Sequence, residues 1–309
     1  MSKRRQPKKP IPPSPEFEKP AEGIAKAPTK TPMYSAQNAS RYLRQDLVKA
    51  INSQEGTNLL CYVCTPEAVI DRYDIIGFSE MLHNVTDNTA IDLMLNSGGG
   101  DVDACDKLVQ LIVSRVGTQK FRVIVPDFAK SAGTLLALAA DKILMSDTSE
   151  LGMIDPQFPM KDGRGNEFML SVISYLAAFD EHSEAHRRNP TDPVTLLMMD
   201  GFDPRLVRKF QGLRDRVRTF AEDRLKRHGA PASSISEKLL DAARWKTHGA
   251  PIFHADAFDI GLPVEYLSPH DPRWQMYWRL YNQQRYCLTS LREEGASKIY
   301  ESAYASQIV

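Results

Sequence analysis

Two short segments hold residues whose types and spacing can do chemistry. The first is Ser97-Gly98-Gly99-Gly100, between the apolar run Ala90–Leu95 and an amphipathic stretch that starts near Val102. Three successive glycines let the backbone take positive φ and approach a bound group closely. Amides at such a strand end, next to a helix N-terminus, suit the stabilisation of a developing oxyanion. The same residues would also serve a plain tight turn. A phosphate loop is not indicated, because neither GxxxxGK[ST] nor GxGxxG is present. The second segment is Ala129-Lys130-Ser131-Ala132-Gly133-Thr134, followed by an apolar run to Ala140. Here a serine opens a helix just after a strand, with small neighbours that leave room around it. Alone, such a serine reads as a helix N-cap. The glycine turn ahead of it, in the order turn, helix, strand and serine, weakens that plain reading.

These residues need a scaffold, and the hydrophobic pattern supplies one. Arg41–Asn52 carries Leu43, Leu47, Val48 and Ile51 on one helical stripe. Leu59–Val63 reads as a strand, Ile75–His83 as a helix and Ala90–Leu95 as a strand. A helix over Val102–Arg115, a strand over Phe121–Val125, a helix from Ser131 and a strand at Ile143–Met145 follow. Strands alternating with helices predict an α/β layered domain with mainly parallel strands. Residues 161–190 read as a loop or hairpin and then a helix from Leu170. Leu206–His228 and Ile235–Ala243 read as helices, Pro251–Leu267 closes the domain, and residues 269–309 read as a helical C-terminal extension.

Bulk properties narrow the function classes. The 309 residues are 42% hydrophobic and 25% charged, with zero formal net charge. Such a chain is ordinary for a globular protein and has no global basic field for nucleic acid. No apolar run reaches the roughly 18–20 residues a membrane span needs. The start, Met1-Ser-Lys-Arg-Arg, has no apolar stretch behind it, so a cytoplasmic protein is expected. Residues 1–35 are expected to be a disordered, basic, proline-rich arm. Up to Met33 they hold eight of the twenty prolines and eight Lys or Arg. The arm reads as a solubilising tail, or as a tether for an acidic protein partner. Cys61 and Cys64 form a CxxC inside an apolar strand, without a second pair. They read, like Cys105 and Cys287, as structural cysteines. His182 and His186 read as a solvated helix face. No metal and no cofactor are expected.

The order of these segments resembles the ClpP/crotonase superfamily, and within it the serine dehydrogenase proteinase group related to signal peptide peptidase A. The resemblance rests on LNSGGGDVDA (95–104), VPDFAKSAGTLLALAADKILM (125–145), SELGMIDPQF (149–158) and WKTHGAPIFHADAFDIGLPVEYL (245–267), and covers residues 40–268. It implies stacked ββα units over residues 36–268, ring-like homo-oligomers and a peptide or unfolded-protein substrate. Ser131 matches the nucleophile. The amides of Gly100 (or Gly99) and Ala132 match the oxyanion hole.

A serine hydroxyl needs a base. Where ClpP-like chains carry the catalytic histidine, this chain has Asp155, and a carboxylate with an ordinary pKa of about 3.9 is a weak base. Where they carry the acid, this chain has His248 or a neighbour. His248 is therefore the first candidate base, since imidazole titrates near about 6.5 without tuning, with Asp155 to orient it. Lys130 is the second, on the pattern of the Ser/Lys dyad of signal peptide peptidase A, and Lys161 is a weaker one. Lys130 could instead hold an acidic group. The reading is a serine peptidase. A catalytically silent peptide-binding scaffold and a crotonase-type acyl-CoA enzyme are the alternatives.

Overall fold

The computed structural model describes residues 30–226, 229 and 231–309. Most of the basic arm expected over residues 1–35 lies outside them. Within them, Pro32–Gln37 is a helix capped by the Thr31 side chain. The chain up to Ala39 is a unit of its own, and the unit Ser40–Val309 holds the sheet and the site.

Eleven strands are described: β1 (Asn58–Cys64), β2 (Ile91–Asn96), β3 (Phe121–Ile124), β4 (Phe128–Ala129), β5 (Lys142–Met145), β6 (Glu150–Leu151), β7 (Gln157–Lys161), β8 (Glu167–Ser171), β9 (Val264–Tyr266), β10 (Lys298–Glu301) and β11 (Ser306–Ile308). Seven form the central sheet, in the order β11-β10-β1-β2-β3-β5-β9. The five from β1 to β9 are parallel; β10 and β11 run antiparallel at one edge. The architecture is the mixed α/β expected, with boundaries mostly within two residues of the pattern.

Alternation along the strands separates two cores. Leu60, Tyr62, Leu93, Leu95 and Val123 join one, which also takes Cys105 and Leu108 from the helix Val102–Val116. Leu59, Cys61, Val63, Met94 and Ile124 join the other, against Val48 and Ile51 of the helix Ala39–Glu55 and Trp274 and Tyr277 of the helix Pro272–Ser290. Burial on both faces is the usual state of parallel strands and explains their nearly unbroken apolar runs. Cys61 and Cys64 fall on opposite faces, so their spacing builds no paired site. Burial pushes the Cys64 thiol up to about 12.

The C-terminal region corrects the sequence reading. Pro272–Ser290 is helical, but the chain then turns at Gly295 (φ 91°) and returns as β10 and β11. Its aromatic content suggested helix, and strands as short as Lys298–Glu301 and Ser306–Ile308 show no period in the sequence. Buried ion pairs fasten this tail. Arg44 grips Glu301 with Nε–Oε2 at 2.9 Å and Nη2–Oε1 at 3.0 Å, and Gln284 Nε2 donates to the same carboxylate at 3.1 Å. Lys298 Nζ reaches Asp74 at 2.6 Å and Asp71 at 2.7 Å. Asp74 also accepts from the hydroxyls of Tyr62 (2.7 Å) and Tyr300.

An excursion between β6 and β9 builds the roof of the site. β7 and β8 form a hairpin, followed by the helices Val172–Arg188, Pro193–Asp200 and Pro204–Lys226. It has a small core of its own at Val172, Leu176, Val207 and Phe210. Among the described residues, no helix is long and apolar enough to cross a membrane.

The tail network predicts a large stability effect. Lys298→Met would strand the fully buried Asp74 carboxylate, and breaking one partner of a buried ion pair typically costs about 3–5 kcal/mol. Urea unfolding of the variant should show a loss of about 3 kcal/mol. A loss under about 0.5 kcal/mol would mean that the pair does not hold the tail.

Candidate active site

A second, shorter ladder continues beyond the ends of β2 and β3. Ser97, next after β2, bridges Ala129 of β4 through Ser97 N–Phe128 O (3.0 Å) and Lys130 N–Ser97 O (2.9 Å). β4 pairs in parallel with β6. Leu151 of β6 exchanges both backbone bonds with Ile252, at 2.9 and 3.0 Å. Four segments remote in sequence are thereby laid side by side. They lead into the glycine turn, Ser131, Asp155 and His248 respectively.

Ser131 directly precedes the helix Ala132–Ala137, with φ 50° and ψ −114°. Its side chain makes no capping bond to the helix, so the N-cap reading fails. A non-glycine residue in this region costs about 1–3 kcal/mol, a strain that persists only where the surroundings impose it. They do so here. The Ala129 carbonyl accepts from Thr134 Oγ1 (2.7 Å), which also lies 2.9 Å from Gly152 O and accepts from Gly152 N. Cys105 Sγ donates to Ala132 O at 3.1 Å.

The glycine turn lies directly against the serine. A Cβ on Gly99 (φ 109°) would lie 2.8 Å from Ser131 Cβ and 3.3 Å from Ala132 N. Gly100 (φ 144°) meets the backbone of Ile70, where any Cβ would overlap. The two candidate amides differ. Gly99 N donates to Ser97 Oγ at 3.2 Å. The bridge to Ile70 uses Gly99 O and Asp101 N, so Gly100 N takes no part in it.

Asp155 is 1% exposed, and its Oδ1 accepts from Ile173 N at 3.1 Å. Its Oδ2 lies 3.4 Å from His248 Nδ1. Gln157, which the sequence analysis did not single out, stands between them. Its Nε2 is 2.7 Å from Asp155 Oδ2 and 3.1 Å from His248 Nδ1. The available signal was its place two residues after Asp155, on the same side of an extended segment. Ser131, His248, Gln157 and Gly100 all line one cleft of about 580 Å³, walled by Val69, Val102, Phe158, Met169, Leu213 and Val217. Lys209 and Arg216 stand at it too, and Arg216 is tied to Asp106 at 2.8 Å.

Other candidates lie elsewhere. Lys130 Nζ pairs with Glu150 at 2.8 Å and donates to Leu151 O at 3.1 Å, with Gly249 O at 3.5 Å. Its ammonium clamps the ladder to the residue after His248, which is the acid-holding alternative and not a free base. Lys161 pairs with Glu167 on the exposed hairpin. His182 and His186 are half-buried rather than solvated, with His182 packed on Phe202. Among the described residues, no group of three His, Cys, Asp or Glu is placed to hold a metal.

Known proteins resemble this chain in part. Two uncharacterized proteins of Methanocaldococcus jannaschii are similar to it. One is 31% identical over 59% of this chain and 55% of its own length; the other is 30% identical over 72% and 71%. The chain thus spans little more than half of the first relative. Among solved structures, a 1510-N membrane-bound stomatin-specific protease aligns with a TM-score of 0.40 and 16% identity, over 66% of this chain and 76% of that one. A family model of ClpP-like SDH-type serine proteinases matches residues 37–287. With the match running through the glycine turn, Ser131, Asp155 and His248, the chain belongs to the ClpP-like SDH-type serine proteinase family.

Proposed function

We propose that this protein is a serine peptidase that cleaves peptide bonds through an ester on Ser131. The carrying observation is that Asp155 and His248, remote in sequence, meet beside the cleft that Ser131 lines. Nδ1 of His248 faces Asp155, which leaves Nε2 as the nitrogen for the serine proton. Ser131 Oγ attacks the substrate carbonyl as His248 takes its proton. The carbonyl oxygen gains negative charge and is stabilised by the amides of Gly100 and Ala132, the latter at a helix N-terminus. His248 returns the proton to the amine, which leaves. Water then attacks the ester, gives a proton to His248, and releases the acid and free Ser131. Asp155 orients the ring and stabilises the imidazolium.

Lys130 acts by position. It joins the strand carrying Ser131 to the loop carrying His248 without touching the reacting atoms. The apolar cleft walls suit the side chains of an extended, unfolded peptide. We place the reaction in a homo-oligomer, as the family resemblance implies.

A fluorophosphonate probe tests the reading. The full-length protein should be labelled on Ser131, and Ser131→Ala should abolish labelling. His248→Ala should slow labelling by roughly 10²–10⁴. An assembled wild type that stays unlabelled would favour a silent scaffold. For Lys130→Met the expected outcome is a fall in kcat with little change in KM, and a KM effect alone would place Lys130 in substrate binding. Backbone strain supplies a separate check. Ser131→Gly should melt at a higher temperature than Ser131→Ala, by a margin worth roughly 1 kcal/mol, because glycine accepts φ 50° without a Cβ penalty. Equal stability would remove the strain argument.

A further inference from the structure

We propose that Gln157 is a positioning residue that holds His248 in the tautomer unable to take the proton of Ser131, so that the site rests unready until the Gln157 amide moves. The inference rests on the peptidase reading. It starts from three atoms in mutual contact. Gln157 Nε2 is 2.7 Å from Asp155 Oδ2, and the same nitrogen is 3.1 Å from His248 Nδ1. The direct Asp155–His248 separation is longer, at 3.4 Å.

The carboxylate sets the amide orientation. A carboxylate only accepts, so the amide end 2.7 Å from it is NH₂ and not the carbonyl oxygen. That nitrogen carries two hydrogens and no acceptor site, so its contact with His248 is also a donation. Nδ1 is therefore the bare nitrogen of a neutral ring, and the ring proton sits on Nε2. A general base for Ser131 needs the opposite arrangement, with the proton on Nδ1 donated to a carboxylate and Nε2 bare. Gln157 occupies the bonding position that Asp155 would use toward His248. The separation of 3.4 Å lies outside the 2.7–3.2 Å range of a good N–H···O bond.

The amide is placed to move. Gln157 is the first residue of β7, is half-buried, and lines the cleft beside Ser131 and Gly100. Asp155, in contrast, is anchored by Ile173 N and fully buried. A peptide carbonyl entering the cleft is an acceptor that can draw the Gln157 amide away. Asp155 is then left to take the Nδ1 proton, and Nε2 turns toward base duty. Occupancy by substrate and readiness of the base become linked through one side chain.

The test is a two-bond ¹⁵N–¹H spectrum of the full-length protein labelled in its histidine rings, with the His248 signals assigned by their loss in His248→Gln. Wild type should show Nδ1 bare and Nε2 protonated. Gln157→Met, which removes the donor at similar length, should move the proton to Nδ1. Gln157→Glu, which when ionised offers only acceptors, should do the same. Fluorophosphonate labelling of Ser131 should then quicken by up to about tenfold, the equivalent of one neutral hydrogen bond. A wild-type ring already protonated on Nδ1, or a tautomer unmoved in both variants, overturns the proposal. So does a tautomer that moves while labelling slows, which would make Gln157 an aid to the base. If the tautomer moves and no variant is ever labelled, the role of Gln157 in setting the ring stands and the peptidase reading falls.

Discussion

The site depends on the backbone ladder that joins Ser97, β4, β6 and Ile252. It is only a few bonds long, yet it converts sequence separation into proximity. Each rung delivers one participant: the glycine turn, Ser131, Asp155 and His248. The main sheet underneath fixes where the ladder starts, because Ser97 and β4 extend β2 and β3. Lys130 reinforces it laterally, with its ammonium shared between Glu150 and the carbonyls of Leu151 and Gly249. A single cation thus spans three of the four rungs.

Strain at Ser131 has its source in the same ladder. The residue before it is hydrogen-bonded to Ser97, and the helix after it is anchored by Thr134 and Cys105. The chain must change direction sharply within one residue, and positive φ at Ser131 accomplishes that. Gly99 makes room for the result, since any side chain there would strike Ser131. Support for the turn comes from far away in sequence. Ile70 braces Gly99 and Asp101, and Asp71 and Asp74 just beyond it are held by Lys298 of the C-terminal tail. Tail stability and the geometry of the glycine turn therefore share one buried charge network.

Much of this was legible in the sequence, and the reasons are specific. Parallel strands buried on both faces give apolar runs ended by turn residues, so β1, β2, β3 and β5 stood out. The glycine turn and the Ser-Ala-Gly helix start were legible because chemistry restricts them to small residues. The pairing of Asp155 with His248 was reached only through the family resemblance and an argument from pKa, since no local pattern links positions so distant. Gln157 carried only a weak signal: its place two residues after Asp155 is one that any polar residue opening a strand could hold. Lys130 looked like a candidate base until its three partners were in place. The tail strands were misread because four-residue strands have too few positions to show a period.

The chain is an α/β member of its family in which the segments leading to Ser131, Asp155 and His248 are brought together by one short ladder. In the mechanism we propose, Gln157 adds a control that Ser131, Asp155 and His248 alone lack. The most direct measurement is the structure of the full-length protein with a peptide boronate in the cleft. The account predicts a tetrahedral boron on Ser131 Oγ, one boronate oxygen about 2.7–3.1 Å from both Gly100 N and Ala132 N, and His248 Nε2 beside the other. A boronate bound away from Ser131, or one whose oxygen turns from those two amides, would contradict it.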